Sequence, residues 1–432
     1  MHSIIFHVLN LCILGNLDMY PEGDEFYMKK GTQLKFAVLC LVPFIMVLGN
    51  SMLIPVLPSI KSALNISQLR VGLLITAFSI PAGIVIPFAG VLSDHVGRVI
   101  IMVPALIIYG LGGLIAGIAA VTLENPYPLI LAGRIIQGIG AGGTYQLAMA
   151  LTGDIFKSSE RAKALGFLEA ANGLGKVISP LAGAAAGLIS WYAPFFIYGI
   201  LAIPAGIAIR FVVSESKENL KKQSYLEYRI SLQEIIQKKA MPLISCFLAG
   251  MVALFVLFGT LSFYSDLLEV TFKIKGFLKG IIIAGPVLAM AVLSFSLGIF
   301  LEKRNRYMKT LIVTGLAVIL IGQVLFAVFP FFWPLFAAVT LVGAGVGGVL
   351  PPVNTLITSS ASTKRRGIIT CLYGTVRFFG VAIGPPLYGF IEKIGREIPL
   401  ALSSGIVAIA IIFGILFINE RVIMGKEKSG TG

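Results

Sequence analysis

Four ionisable side chains interrupt apolar runs long enough to cross a bilayer: Arg134, Glu169, Lys176 and Arg377. A charge at the bilayer centre costs about 2.5–3.5 kcal/mol even on the lenient insertion scale, so each is expected to face a cavity or a partner. Glu169 is the one carboxylate of the four and the candidate proton carrier. Burial favours its neutral form, and a nearby cation restores the charged form when no ligand is bound. The plainer reading of Glu169 is a structural ion pair with a cation elsewhere in the bundle. Glu169 and Lys176 are seven residues apart, hence on one helix face but separated by about 10 Å of rise, so they do not pair directly. Arg134, Lys176 and Arg377 are the candidate cavity charges, and their excess over one anion favours an anionic or zwitterionic ligand. Asn50, Tyr145, Gln146 and Asn354 are the uncharged polar candidates for the same cavity. Asn354 follows Pro351-Pro352, a pair expected to interrupt its helix and free carbonyls. Phe247, Phe255 and Phe258 suit an apolar ligand, yet at this spacing they read first as packing.

The elements that must hold these residues follow from composition. The chain has 432 residues, 57% hydrophobic and only 12% charged, against about a quarter charged in a soluble domain. A bilayer-crossing helix needs about 20 apolar residues, and twelve such runs are expected, from 36–57 to 399–418. The polar stretch 214–241 divides them into six and six. The expected layout is an N-terminal tail over 1–31, a six-helix bundle over 32–213, a linker over 214–241, a second bundle over 242–420 and a C-terminal tail over 421–432. Lys and Arg collect on the side shared by both tails and the linker, which places that side in the cytoplasm of a multi-pass cell-membrane protein. The formal net charge of +14 therefore belongs to membrane topology and does not indicate nucleic acid. Cys12, Cys40, Cys246 and Cys371 lack metal-site or disulfide spacing, and His2, His7 and His95 form no cluster, so neither metal nor cofactor is expected. Residues 4–17 are apolar but too short to span and lack a basic flank before them, so no signal peptide is expected; either Met28, in Met28-Lys29-Lys30, is the natural start or 1–27 is a disordered tail.

The two halves repeat. Gly90, Asp94 and Arg98 recur as Gly298, Glu302 and Arg306 after the equivalent span. Gly138-Ile-Gly-Ala-Gly-Gly143 recurs as Gly343-Ala-Gly-Val-Gly-Gly348, and Ser179-Pro180 as Gly384-Pro385. Such repeats place a substrate site at the interface of the halves near the midplane, with rocking of one half against the other giving alternating access.

These residues resemble the major facilitator superfamily, and within it the twelve-span drug:proton antiporters. Gly90, Leu92, Asp94, Gly97 and Arg98 match the loop motif between spans 2 and 3, with Ser93 and His95 departing. Arg134, Gln137, Gly138, Gly140 and Ala141 match the span 4 motif. Gly166, Gly175, Pro180 and Gly183 match the exporter motif of span 5, where Ser179 and Ala184 replace glycines. The resemblance implies an all-α membrane fold of twelve helices in two pseudo-symmetric halves. It also implies a gating latch at Gly90, Asp94, Gly97, Arg98 and Asp154, with Glu302 and Arg306 as its repeat, in which Asp94 caps the start of span 11 and Arg98 pairs with Asp154. Many members place an acid in span 1, where this chain has Asn50, so the usual titratable group there is missing.

The expectation is a proton-coupled exporter of amphipathic drugs or metabolites, a monomer whose partners are a small molecule, protons and the lipid bilayer. The same-fold alternative carries an anionic metabolite or lipid. A membrane enzyme is the remote alternative: no HExxH, nucleophile elbow, phosphate loop or carboxylate pair occurs. A channel fits two repeat-built halves with a latch less well than alternating access does.

Overall fold

The computed structural model describes residues 30–156, 158–213, 215, 225–303, 307–360, 366–392, 394–395 and 397–424. The expected start at Met28, residues 214 and 216–224 of the linker, Arg306 and the side chain of Glu302 lie outside the described residues.

The described chain is helical throughout. In the first half α1 (Lys30–Ser51) leads through a 3-10 turn (Ile54–Val56) into α2 (Leu57–Leu64), followed by α3 (Gln68–Val96), α4 (Arg98–Thr122), α5 (Tyr127–Gly142), α6 (Tyr145–Ile155), α7 (Ser158–Ile189) and α8 (Ala193–Val212). The second half comprises α9 (Tyr225–Val270), α10 (Gly276–Lys303), α11 (Met308–Val328), α12 (Phe332–Ser359), α13 (Arg366–Ile391), α14 (Ile398–Phe417) and the short α15 (Glu420–Met424). Among the described residues ten segments are long and apolar enough to cross a membrane. The other two expected spans, 129–151 and 163–188, fall on the α5–α6 pair, which is broken between Gly142 and Tyr145, and on the charge-bearing α7. Helix α7 overruns the apolar stretch 163–188 at its first end, because Glu160, Arg161 and Ala162 are good helix formers.

Breaks fall where the side chains require them. Pro55 and Pro58 end the regular part of the first span, since neither can donate to the ladder. Asn65 closes α2 in the left-handed conformation, φ 49°, and Ser67 caps α3. Gly97, at φ 112°, makes the corner between α3 and α4 that a side chain would strain. Glu215 accepts from the Val99 N–H at 3.0 Å and satisfies one of the free donors at the start of α4.

The repeat read from the sequence is a repeat of backbone contacts. A Cβ on Gly138 would overlap the carbonyl oxygen of Phe78, and one on Gly343 that of Pro286. Phe78 and Pro286 stand equally far before Gly90 and Gly298, the first residues of the repeated loop motif. Gly142 meets Val85 and Ala82, and Gly347 meets Leu293 and Met290, in the same register. Helices α5 and α12 thus touch α3 and α10 backbone to backbone, the close approach that small residues permit in membranes.

Prolines also join the halves. Each removes one helical N–H and leaves the carbonyl four residues earlier without its usual partner. Pro386 frees the carbonyl of Ala382, which accepts from Thr76 Oγ1 at 2.6 Å across the interface. Pro87 frees Gly83, which accepts from Thr375 Oγ1 at 2.7 Å in the reverse sense. Pro58 frees Ile54, which accepts from Ser265 Oγ at 2.8 Å. Pro351 frees Gly347, to which Ser294 donates at 3.3 Å within the second half. Helix α12 consequently runs unbroken through Pro351-Pro352, and the expected interruption does not occur.

Candidate functional site

Between the halves lies a cavity of about 110 Å³. Each half presents one cation to it: Lys176 on α7 and Arg377 on α13. Asn50 and Ser51 from α1, Tyr145 and Gln146 from α6, and Asn172 from α7 add polar groups, while Phe78, Phe258 and Phe378 supply aromatic wall. The break at Thr144, whose hydroxyl donates to the Ala141 carbonyl at 2.6 Å, re-aims the chain so that Tyr145 and Gln146 reach this wall. Among the described lining residues there is no carboxylate. Lys176 and Arg377 are close enough to feel one another's charge, and Glu169 is also within electrostatic reach of Lys176.

Glu169 stands beside the cavity and not in its lining. Its side chain is exposed, and its Oε1 accepts a very short hydrogen bond from the Tyr145 hydroxyl. Tyr145 therefore bridges the carboxylate to the cavity. Asn50, Tyr145, Gln146, Lys176 and Arg377, expected as cavity residues, are brought together.

Two expected cavity residues are not. Arg134 is 0% exposed and lies one layer behind the wall. It donates to Asn50 Oδ1 at 2.7 Å, Gln137 Oε1 at 2.6 Å and the Leu74 carbonyl at 3.0 Å, and its guanidinium stacks over Phe78 at 4.6 Å. A guanidinium can satisfy its donors with neutral acceptors and an aromatic face, so it needs neither a cavity nor an acid. Asn50 turns its amide nitrogen to Ser79 at 2.7 Å, and its oxygen serves Arg134 in place of a carboxylate. Asn354 is half-buried and outside the lining. Of the span 7 aromatics, Phe258 lines the cavity, whereas Phe247 stacks on Tyr373 and Phe255 packs edge-on against Tyr388.

At one end of the bundle Arg98 donates to Asp154 Oδ2 at 2.6 Å and lies 3.4 Å from Asp94. Gly90 sits against Cys371 near the start of α13, so this cluster adjoins the second half. At the opposite end Lys61 pairs with Asp266 across the halves at 2.9 Å, close to the Ser265–Ile54 bond, and Lys279 pairs with Glu269. In the exporter motif Gly183 takes the Met52 carbonyl and Gly175 the Phe44 backbone, which seats α7 on α1. Pro180 and Ala184 meet Gly280 of α10, while the buried Ser179 hydroxyl has no protein partner among the described residues. A Cβ on Gly166, Gly173 or Gly298, nearer the Arg98 end, would meet nothing within 4 Å. Helices α7 and α10 thus touch toward the Lys61 end.

Sequence reasoning passed over Asn172, Phe78 and Phe378 in the wall and both ion pairs at the Lys61 end. Lys279 was open to notice, since it sits inside an apolar run. Asp266 and Lys61, 205 residues apart, leave no local signal.

Two pseudo-symmetric helical halves around a shared polar cavity define a membrane carrier rather than an enzyme. The Major Facilitator Superfamily pattern matches residues 39–385, and the chain belongs to that family. It is 36% identical over 390 residues to the bacillibactin exporter of Bacillus subtilis (strain 168), covering 90% of this chain and 97% of that one. It is 24% identical over 391 residues to the quinolone resistance protein NorA of Staphylococcus aureus (strain MRSA252), covering 89% and 96%. In fold it is similar to a bacterial homologue of the human lysosomal transporter Spinster in an inward-facing, occupied conformation, at TM-score 0.73 and 18% identity, covering 90% and 97%. A D-xylose–proton symporter superposes at TM-score 0.71 and 14% identity, covering 89% and 98%.

Proposed function

We propose that the protein exports an amphipathic small molecule from the cell by alternating access, with the Tyr145–Glu169 pair as its proton-binding element. The observation that carries the reading is the cavity between the halves, a mostly apolar wall with a polar patch of Asn50, Gln146, Asn172, Lys176 and Arg377, with that pair beside it. The names of the bacillibactin exporter and the quinolone resistance protein support the outward direction. Both tails and the 214–241 linker lie in the cytoplasm on this reading, following the distribution of Lys and Arg. The Asp94–Arg98–Asp154 cluster is then on the cytoplasmic side and acts as the latch, while Lys61–Asp266 and Ser265–Ile54 close the outer side. The described state is accordingly inward-facing. Rocking must break the outer contacts and tighten the inner ones before a ligand can leave.

The test is substrate-dependent proton movement. Everted vesicles loaded with a pH dye receive a panel of anionic, neutral and cationic amphiphiles, with wild type beside Glu169→Gln. A pH change of either sign in wild type, absent from the variant, supports the reading. Substrate transport with no proton movement, or equal proton movement in both, contradicts the role of Glu169. Transport of no compound contradicts the exporter.

A further inference from the structure

We infer that the ligand of the cavity is an anionic, aromatic amphiphile whose negative group bridges Lys176 of the first half and Arg377 of the second. This rests on the exporter reading and adds the substrate class to it.

A buried cation needs a counter-charge or donors fully met. Lys176 and Arg377 are half-buried, and the other buried or half-buried cations among the described residues have such partners. Arg134 is bonded to Asn50, Gln137 and the Leu74 carbonyl, Lys279 to Glu269 and Arg98 to Asp154. Lys239 donates to the carbonyls of Ser360 and Ile423. Lys176 and Arg377 differ: among the described residues neither makes an ion pair or a hydrogen bond. Arg377 has only the face of Tyr373, at 5.6 Å. Both line the cavity, and no carboxylate lines it with them. Two cations held near each other without a directly paired counter-ion form a site whose missing component is negative. A planar guanidinium favours an oxyanion such as carboxylate, sulfonate or phosphate, which it can meet with two donors. The remaining wall is aliphatic except for Phe78, Phe258 and Phe378, which with Met46 and Met290 suit an aromatic body next to that group.

The repeat reinforces the assignment. In the register that aligns Gly138 with Gly343, Arg377 corresponds to Asn172 and Lys176 to Val381, and all four line the cavity. The two cations are thus neither copies of one another nor part of the shared backbone packing, which is expected of ligand contacts added to a repeated scaffold. Glu169 completes the logic. Its carboxylate lies within electrostatic reach of Lys176 and competes with the ligand for that cation.

A matched probe pair tests this. 1-Anilinonaphthalene-8-sulfonate and N-phenyl-1-naphthylamine share a ring system and differ in the sulfonate. Their fluorescence is titrated with the full chain in lipid nanodiscs, with empty discs subtracted. Wild type is expected to prefer the sulfonate by about tenfold or more. The preference should collapse towards unity in Lys176→Met and in Arg377→Met, persist in Lys176→Arg, and increase in Glu169→Gln. Equal affinities in wild type, or a preference that survives both Met variants, would overturn the inference. Vesicle export separates it from the reading beneath: export of the neutral amine or of ethidium while the sulfonate stays overturns the anion assignment and leaves the exporter standing. Export of none of the three overturns the exporter itself.

Discussion

Each half needs polar groups to pin its helices, and the two halves use different chemistry for it. In the first, Arg134 on α5 ties α1 through Asn50, α3 through the Leu74 carbonyl and its own helix through Gln137, beneath Phe78 and Tyr198. Tyr109 and Tyr198 add bonds to carbonyls of α1. In the second, Gln323 on α11 donates to Thr260 at 2.7 Å and accepts from Ser403 at 2.8 Å and Tyr388 at 3.2 Å, tying α9, α13 and α14 with no charge at all. The residue that corresponds to Arg134 in the glycine register is the buried Val339. Duplication therefore preserved backbone packing and not electrostatics. The charged hub belongs to the half that also carries Tyr145, Glu169 and Lys176, while the second half keeps its buried ion pair, Lys279–Glu269, at the Lys61 end. Asn50 belongs to both core and cavity wall, so ligand contacts there can be felt by the pins of the whole half.

That contrast can be broken. Arg134→Met would leave the Asn50 and Gln137 oxygens and the Leu74 carbonyl without their donor, and a lost charge-assisted network of this kind costs about 3 kcal/mol or more. The expected result is the largest drop in thermal midpoint, read by size-exclusion after heating, together with weakened ligand binding through Asn50. Gln323→Leu should cost less, about 1–2 kcal/mol, because its partners are neutral and intramembrane hydrogen bonds are individually modest. It should leave ligand affinity unchanged, and an affinity loss equal to that of Arg134→Met would erase the proposed difference between the halves. Smallest in stability are Thr76→Val and Thr375→Val, each stranding one proline-freed carbonyl. Their effect, about 1 kcal/mol apiece, falls on the interface between halves, so spin-label distances across it should broaden while each half melts as before.

Much of the fold was legible because its causes are one-dimensional. Apolar length reports a span, and the recurrence of Gly138 and Gly143 as Gly343 and Gly348 reports a duplicated contact. The cavity was legible in part. Charges in apolar runs marked Lys176 and Arg377, and the same rule misplaced Arg134, because spacing along a helix does not tell a cavity face from a face buried within one half. Pro351-Pro352 misled for a related reason: the missing donor was replaced by Ser294 of another helix, which no local pattern announces. Thr76, Thr375 and Ser265 carried no warning of their own. Only the proline four residues beyond each acceptor hinted that a carbonyl there wanted a partner.

In the proposed cycle, export requires the Lys61 end to open. Ile54→Cys and Ser265→Cys in a chain stripped of native cysteines place two thiols at the Ser265–Ile54 contact. Export is measured in vesicles before oxidation, after it, and after reduction. Alternating access predicts that oxidation halts export and reduction restores it. Export at the full rate from a fully cross-linked population would contradict it.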